Sequence, residues 1–222
     1  MNRTTIWIAL AVLFAGGCAS SPVVFVSDTA SPPPSDASVL ILPADIEISE
    51  LGAAPIYIRP RADWSQAATQ GLYDALDVWF SERGVKPIRY AHDTIANEDS
   101  EVIRVATINL DIIQWAQEEG AFHGIYSVPS EFMDRLDEYG ADYALFVTMF
   151  ARRDPGSGVL LTYNLLTGSL FRAALFDLAD GKVVWANIVP MAWLRLRMGN
   201  PAEADAERWL RSFETLFHGF PL

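Results

Sequence analysis

Apolar positions along this chain recur with a period that changes from segment to segment, and each change marks an element. Val39-Leu40-Ile41-Leu42-Pro43 is a short aliphatic run ended by proline, which reads as a buried strand because proline cannot donate to a sheet ladder. Alternation then continues through Ile46 and Ile48. From Asp63 the period lengthens. Ala68, Leu72, Leu76, Trp79 and Phe80 recur at helical spacing, Asp63 and Gln66 stand in capping-box relation, and Gly84 closes the segment. Residues 85–90 read as a second strand, with Pro87 arguing for an edge or a strand start.

Residues 101–117 fit a helix behind Ser100 as cap, with Val105, Ile108, Ile112 and Trp115 on one face. Ile103, Leu110 and Ile113 make the other face apolar too, so this helix is expected to be buried on two sides, or part of it to be strand. Residues 129–139 predict a short helix carrying Phe132, Leu136 and Tyr139 and stopping at Gly140. Residues 141–150 are almost continuously apolar, the pattern of a strand covered on both faces. Residues 171–178 and 182–189 flank Ala179-Asp180-Gly181, and an Asp-Gly pair between apolar runs marks a hairpin because glycine tolerates positive φ.

The last helix is the best marked, with Asn200 as cap, Pro201 at the first position and Glu203 completing the box. Ala206, Trp209, Leu210, Phe213, Leu216 and Phe217 line its face. The order β-α-β-α-α-β-β-β-α predicts an α/β (α+β) domain with a mixed sheet of about five strands covered by helices.

The first part of the chain follows none of these periods. Arg3 precedes an unbroken apolar run, residues 6–14, and then Ala15-Gly16-Gly17-Cys18, the layout of a secretory signal. The run is too short to span a bilayer, which needs about 20 residues. Cys18 is the only cysteine. Small residues directly before it resemble the lipobox of bacterial lipoproteins, in which lipid is attached to the cysteine and the cut falls between the positions held here by Gly17 and Cys18. Ala15 stands where that pattern usually has Leu. The alternative is an ordinary signal-peptidase cut nearby, since Ala15-Gly16-Gly17 suits that too. In the lipoprotein pattern Ala19, rather than Asp, after the cysteine implies export to the outer membrane. The expected organisation is a signal peptide at 1–17, a lipidated Cys18 with a Ser/Pro-rich tether to residue 38, and one periplasmic domain at 39–222. Val23 to Val26 interrupts the tether with apolar side chains that rest on lipid or on the domain.

The chain carries 28 acidic against 16 basic residues, net −12, which argues against nucleic acid as a partner. Seven Trp and 12% aromatic residues belong to a folded body rather than a disordered one. With no cysteine besides Cys18, stability rests on an ordinary packed core.

Three pieces then add up: the lipobox, Leu42-Pro43-x-Asp45-Ile46-Glu47, and residues 140–147 followed by Asp177-Leu178-Ala179-Asp180-Gly181-Lys182-Val183-Val184-Trp185. Together they resemble a family of small, uncharacterised Gram-negative lipoproteins. More distantly, the strand, Asp-Gly turn and Trp-bearing strand are similar to the α/β domains of curli-secretion-type lipoproteins and of the TolB N-terminal domain. The resemblance implies a fold and a location, and brings no catalytic residues with it.

No nucleophile elbow, phosphate loop or zinc-protease helix occurs in the sequence. His92 beside Asp93 reads as a polar loop, and Glu118, Glu119 and His123 are weakened as metal ligands by Gly120 and Gly124. His218 falls where a C-terminal helix cation is favourable. Arg59 and Arg61, or Arg195 and Arg197, are candidate anion sites or surface ion pairs, and the Trp residues read as core. Residues 158–170 are apolar with no clean period. Leu160, Leu161, Tyr163, Leu165 and Leu166 are therefore either a further core strand or an interface to lipid or protein.

The expectation is a non-enzymatic outer-membrane lipoprotein with no cofactor and no metal, its domain facing the periplasm. Its partners are membrane lipid through Cys18 and other envelope proteins or its own copies, in transport, secretion or maintenance. The alternative is a periplasmic binding module for a small ligand or a cell-wall fragment.

Overall fold

The computed structural model describes residues 23–27, 34, 36–51, 58–90, 104–114, 127–128, 130–153, 170–190 and 201–222. Their strands are β1 (Val23–Val26), β2 (Ser38–Ile41), β3 (Asp45–Leu51), β4 (Ile58–Pro60), β5 (Lys86–Arg89), β6 (Tyr143–Arg153), β7 (Leu170–Asp177) and β8 (Val183–Pro190). The helices are α1 (Ala62–Ser81), α2 (104–114), α3 (Ser130–Leu136) and α4 (Ala206–Leu216), with single 3₁₀ turns at Asp137–Tyr139 and Pro201–Glu203.

The eight strands form one mixed sheet built around β6. On one side β6 pairs antiparallel with β7, which continues antiparallel to β8 and then β1. On its other side two strands lie end to end: β2 is parallel to the first part of β6 and β3 to the second. The break between them follows from Pro43. Leu42 N still donates to Leu145 O at 2.9 Å, but the next residue has no N–H, so the ladder stops and resumes at Asp45. β5 pairs parallel with β2, and β4 antiparallel with β3.

Alternating side chains divide the sheet into two covered faces. Val39, Ile41, Ile48, Leu145, Val147 and Phe171 meet α1 and α4. Leu40, Phe146, Ala174 and Phe176 meet α2 and α3. The first core is aromatic at its centre, with Trp79 4.9 Å from Phe217, and Phe217 stacked on Trp185 at 5.8 Å. Each fully buried large apolar side chain stabilises by roughly 1.5–3 kcal/mol. Two polar side chains of β8 fix the end of α4. Asn187 Nδ2 donates to Thr215 O and Leu216 O at 3.0 and 2.8 Å, and Trp185 Nε1 donates to His218 O at 3.1 Å. These carbonyls have no partner within the helix.

The fold class expected from sequence holds, with eight strands in place of about five. The additional three are β1, β3 and β4. Val23–Val26, placed by sequence within the tether, is paired with β8, with Val24 and Phe25 packed on opposite faces of the domain and Val26 exposed. β4 is exposed at every position and has no apolar period to announce it.

Helix ends and faces differ in detail. α1 starts at Ala62, and Asp63 bonds the Arg61 guanidinium instead of capping. α4 starts at Ala206, capped by Asp205, whose carboxylate accepts from Arg208 N at 2.9 Å, because Pro201–Glu203 forms a separate 3₁₀ turn. α2 buries Ala106, Leu110 and Ile113 and leaves Ile108 and Ile112 exposed, so the sheet covers only one of its two apolar faces.

Candidate functional site

β5, β2 and β6 are parallel neighbours in that order. The connection from β2 to β5 runs through α1 on one face, and that from β5 to β6 through α2 and α3 on the other. Connections that diverge this way leave a crevice outside the carboxyl ends of the strands. Here a cleft of about 360 Å³ opens, lined by Ile41 from β2, by Arg89 and Tyr90 at the end of β5, and by Gln70, Tyr73, Asp74 and Asp77 of α1.

The Arg89 guanidinium builds one wall. Nη2 donates to Tyr73 O and to Asp77 Oδ2, both at 2.6 Å, and the group lies 4.3 Å over the Tyr73 ring. Its Nη1 is buried and makes no hydrogen bond among the described residues. Tyr73 Oη accepts from Ala44 N at 2.9 Å, just past the Pro43 break, and burial pushes its hydroxyl pKa up. Asp74 accepts from Gln70 at 2.7 Å, and Tyr90 stacks on Tyr139 at 5.2 Å. The cleft thus offers carboxylates, an amide and an aromatic ring, with its one arginine engaged in the wall. Those groups suit polyols better than anions.

A second polar cluster lies on the α2 side of the sheet. Arg172 donates to Thr148 Oγ1 at 3.2 Å and pairs with Asp111 of α2. Partial desolvation, then the neighbouring Glu47, push the Asp45 carboxyl up, while Arg172 pulls it down.

Of the residues singled out in the sequence, Gly17, Cys18, His92, His123, Glu118, Glu119, Trp115, Trp193, Arg195 and Arg197 lie outside the described residues, as do Leu160, Leu161, Tyr163, Leu165 and Leu166. His218 sits exposed in the turn after α4. Arg59 is exposed, whereas Arg61 pairs with Glu50 at 3.0 Å and Asp63 at 2.7 Å. Trp79, Trp185 and Trp209 are core, and Trp64 is half-buried beneath Arg61, whose guanidinium is 4.0 Å from its ring. Tyr73, Asp77 and Arg89 escaped the sequence reading. Arg89 and Tyr90 at the carboxyl end of a parallel strand were the available signal. Among the described residues there is no group of three or more His, Cys, Asp or Glu placed to hold a metal, and no helix is long and apolar enough to cross a membrane.

These elements define a three-layer α+β domain with helices on both faces of a mixed sheet. No family model matches this sequence, and no curated protein matches it either. Among solved structures it is similar to the PelC dodecamer from Paraburkholderia phytofirmans, at 12% identity over 89% of this chain and 98% of that one, TM-score 0.35. It is also similar to lipoprotein GNA1162 from Neisseria meningitidis (16% identity, 69% and 80% covered, TM-score 0.32). A third likeness is to the LpoB C-terminal domain from Salmonella enterica (11%, 73% and 84%, TM-score 0.32).

Proposed function

We propose that this chain is a non-enzymatic lipoprotein of the outer membrane whose periplasmic domain docks on or assembles with other envelope proteins, in transport, secretion or maintenance. The observation that carries the reading is Cys18, the sole cysteine, behind a short apolar run and three small residues. Two acyl chains anchor a protein stably, at about 0.8 kcal/mol for each buried methylene. Replacing Cys18 with Ala is expected to move the protein from the membrane to the soluble periplasmic fraction and to abolish fatty-acid labelling. A variant that still sediments with membranes refutes the anchor. The native mass of the lipidated protein in mild detergent tests the assembly part. A defined oligomer or a stable complex with other chains is expected, and a lone monomer counts against it.

The cleft favours a second reading, a binding module for a small ligand or a cell-wall fragment. Asp74, Asp77 and Gln70 beside the Tyr90 ring are the groups that hold sugar hydroxyls and a sugar face. Saturable binding of a peptidoglycan disaccharide, lost in Tyr90→Ala, would support it. No binding at millimolar sugar would exclude that ligand.

A further inference from the structure

A sheet edge is a template for a further strand, and folded proteins blunt it with proline, charge or a bulge. Among the described residues the outermost strands are β1, β4 and β5. β5 meets β2 through the N–H groups of Lys86 and of Tyr90 just beyond it, which donate to Ala37 O and Ile41 O, so the backbone of Pro87 and Arg89 faces outward. Arg61 N donates to Ile48 O, which in the register of β4 on β3 turns the backbone of Pro60 outward. Both edges thus set a proline where an incoming strand needs a donor, and carry a basic residue, Lys86 or Arg59, in the same short strand.

β1 has neither device. Ser27 N donates to Val184 O, and antiparallel bonds join residues directly opposite, so positions 23, 25 and 27 bond to β8 while Val24 and Val26 turn their N–H and C=O groups outward. Among the described residues no backbone group bonds to either. Val26 is 49% exposed, and residues 19–27 include no charged side chain.

Resting on the assembly part of the reading above, we infer that β1 pairs antiparallel with β1 of a second copy, joining two sheets into one across a two-fold axis at Phe25. The strand is self-complementary. With Val24 opposite Val26 of the other copy, every outward N–H of the two strands meets an outward C=O, and the two Phe25 residues stand opposite each other. Pro22 has no N–H, so a register slipped toward it loses bonds. Charge selects the occupant. At net −12 two copies repel over most of their surface, and an uncharged edge is where they can meet, whereas a charged peptide finds no opposite charge there.

The test is the native mass of the full-length lipidated protein in excess mild detergent, by analytical ultracentrifugation, for the parent, Val26→Pro and Val26→Lys. A parent of two chains, or an even multiple, is expected, with both variants at half its mass and melting cooperatively by circular dichroism. Val26→Lys keeps the backbone donor and alters an exposed side chain, so it decides the matter should Val26→Pro fail to fold. Lipidation blocks the native thiol, so a single introduced cysteine reads the register under mild copper-phenanthroline oxidation. Phe25→Cys is expected to cross-link into dimers, because directly opposite Cα atoms about 4.5 Å apart fall within the span of about 4.4–6.8 Å that a disulfide bridges. Val26→Cys, two positions out of register with its own copy, is expected not to. An odd number of chains, an unchanged mass in both variants, or cross-linking at 26 in place of 25 overturns the inference and leaves the assembly reading standing. A parent that is a lone monomer overturns the inference and counts against that reading as well.

Discussion

Gly71 is the position at which α1 meets the chain leading into α4. A Cβ built there would lie 2.8 Å from Ala204 O, 2.8 Å from Trp209 Nε1 and 3.1 Å from Trp209 Cδ1. Two effects compete in Gly71→Ala. Alanine in a helix interior is favoured over glycine by about 1 kcal/mol. Against that, overpacking costs typically about 1–3 kcal/mol. One of the three obstructing atoms is backbone and the other two belong to a fully buried indole, so none can swing aside and the upper half of that range applies. The net expectation is destabilisation by about 1–2 kcal/mol, a fall of about 2–8 °C in midpoint for a domain of this size. Circular-dichroism melts with a matching urea titration measure it. In a Trp209→Phe background one of the two close contacts is gone, and the penalty of Gly71→Ala is expected to shrink, a coupling that a double-mutant cycle reads directly. If Gly71→Ala melts higher than the parent, helix propensity has won and the close approach of α1 to Ala204 is not what the glycine serves.

Asn187→Ala is expected to cost about 2–4 kcal/mol in urea unfolding, because the Thr215 and Leu216 carbonyls at the end of α4 would lose their donor in a buried place. Leu110→Ala should cost about 2–5 kcal/mol and Ile108→Ala much less, because only the Leu110 face is covered by the sheet. Two carboxylates should respond oppositely to pH. Asp142 accepts from Ser38 N and Oγ, both at 2.7 Å, which hold its carboxyl below the usual range. Its stabilising contribution is therefore present above the unfolded value of 3.8 and lost as pH falls through the folded one, so Asp142→Asn weakens the protein at neutral pH and not in strong acid. Asp45 is held above that value, so its contribution turns against folding as pH rises above 3.8 and is fully unfavourable once the folded carboxyl has ionised. Asp45→Asn is expected to stabilise at neutral pH, with the gain vanishing in acid, and denaturant midpoints measured across pH would show both trends.

Much of the fold was legible where burial follows a period. The face Ala68, Leu72, Leu76, Trp79 and Phe80 of α1, the continuous apolar run of β6, and the Asp180-Gly181 turn with φ +70° at Gly181 are local signals that tertiary contacts reinforce. β4 was not legible, because Ile58-Arg59-Pro60 is held by pairing to β3 and not by burial. For α2 the sequence offered two apolar faces and no way to choose, and the choice is made by where Phe146 and Phe176 stand on the sheet. The cap read at Asn200 was misplaced, because Pro201–Glu203 forms a separate 3₁₀ turn and the helix starts only at Ala206, behind Asp205. The cleft is assembled from β2, β5 and α1, so no short stretch of sequence contains it, and its Arg89–Asp77 and Arg89–Tyr73 contacts become visible only when the strand and helix are side by side.

The pairing of strands far apart in the chain also bears on when this domain acquires structure. Ser38 meets Asp142 across a separation of 104 residues, and Val23 meets Ile188 across a longer one still. Contacts this remote must close large loops before they contribute anything, so folding is slow and waits on the late segments. A chain delivered N-terminus first presents its first strand long before β6 and β8 arrive to receive it. Until then β1 is a free leash, and an anchored chain would hang loosely from its attachment point. The pairing of β1 with β8 is then a closing event, possible only once the last strand of the sheet has been made.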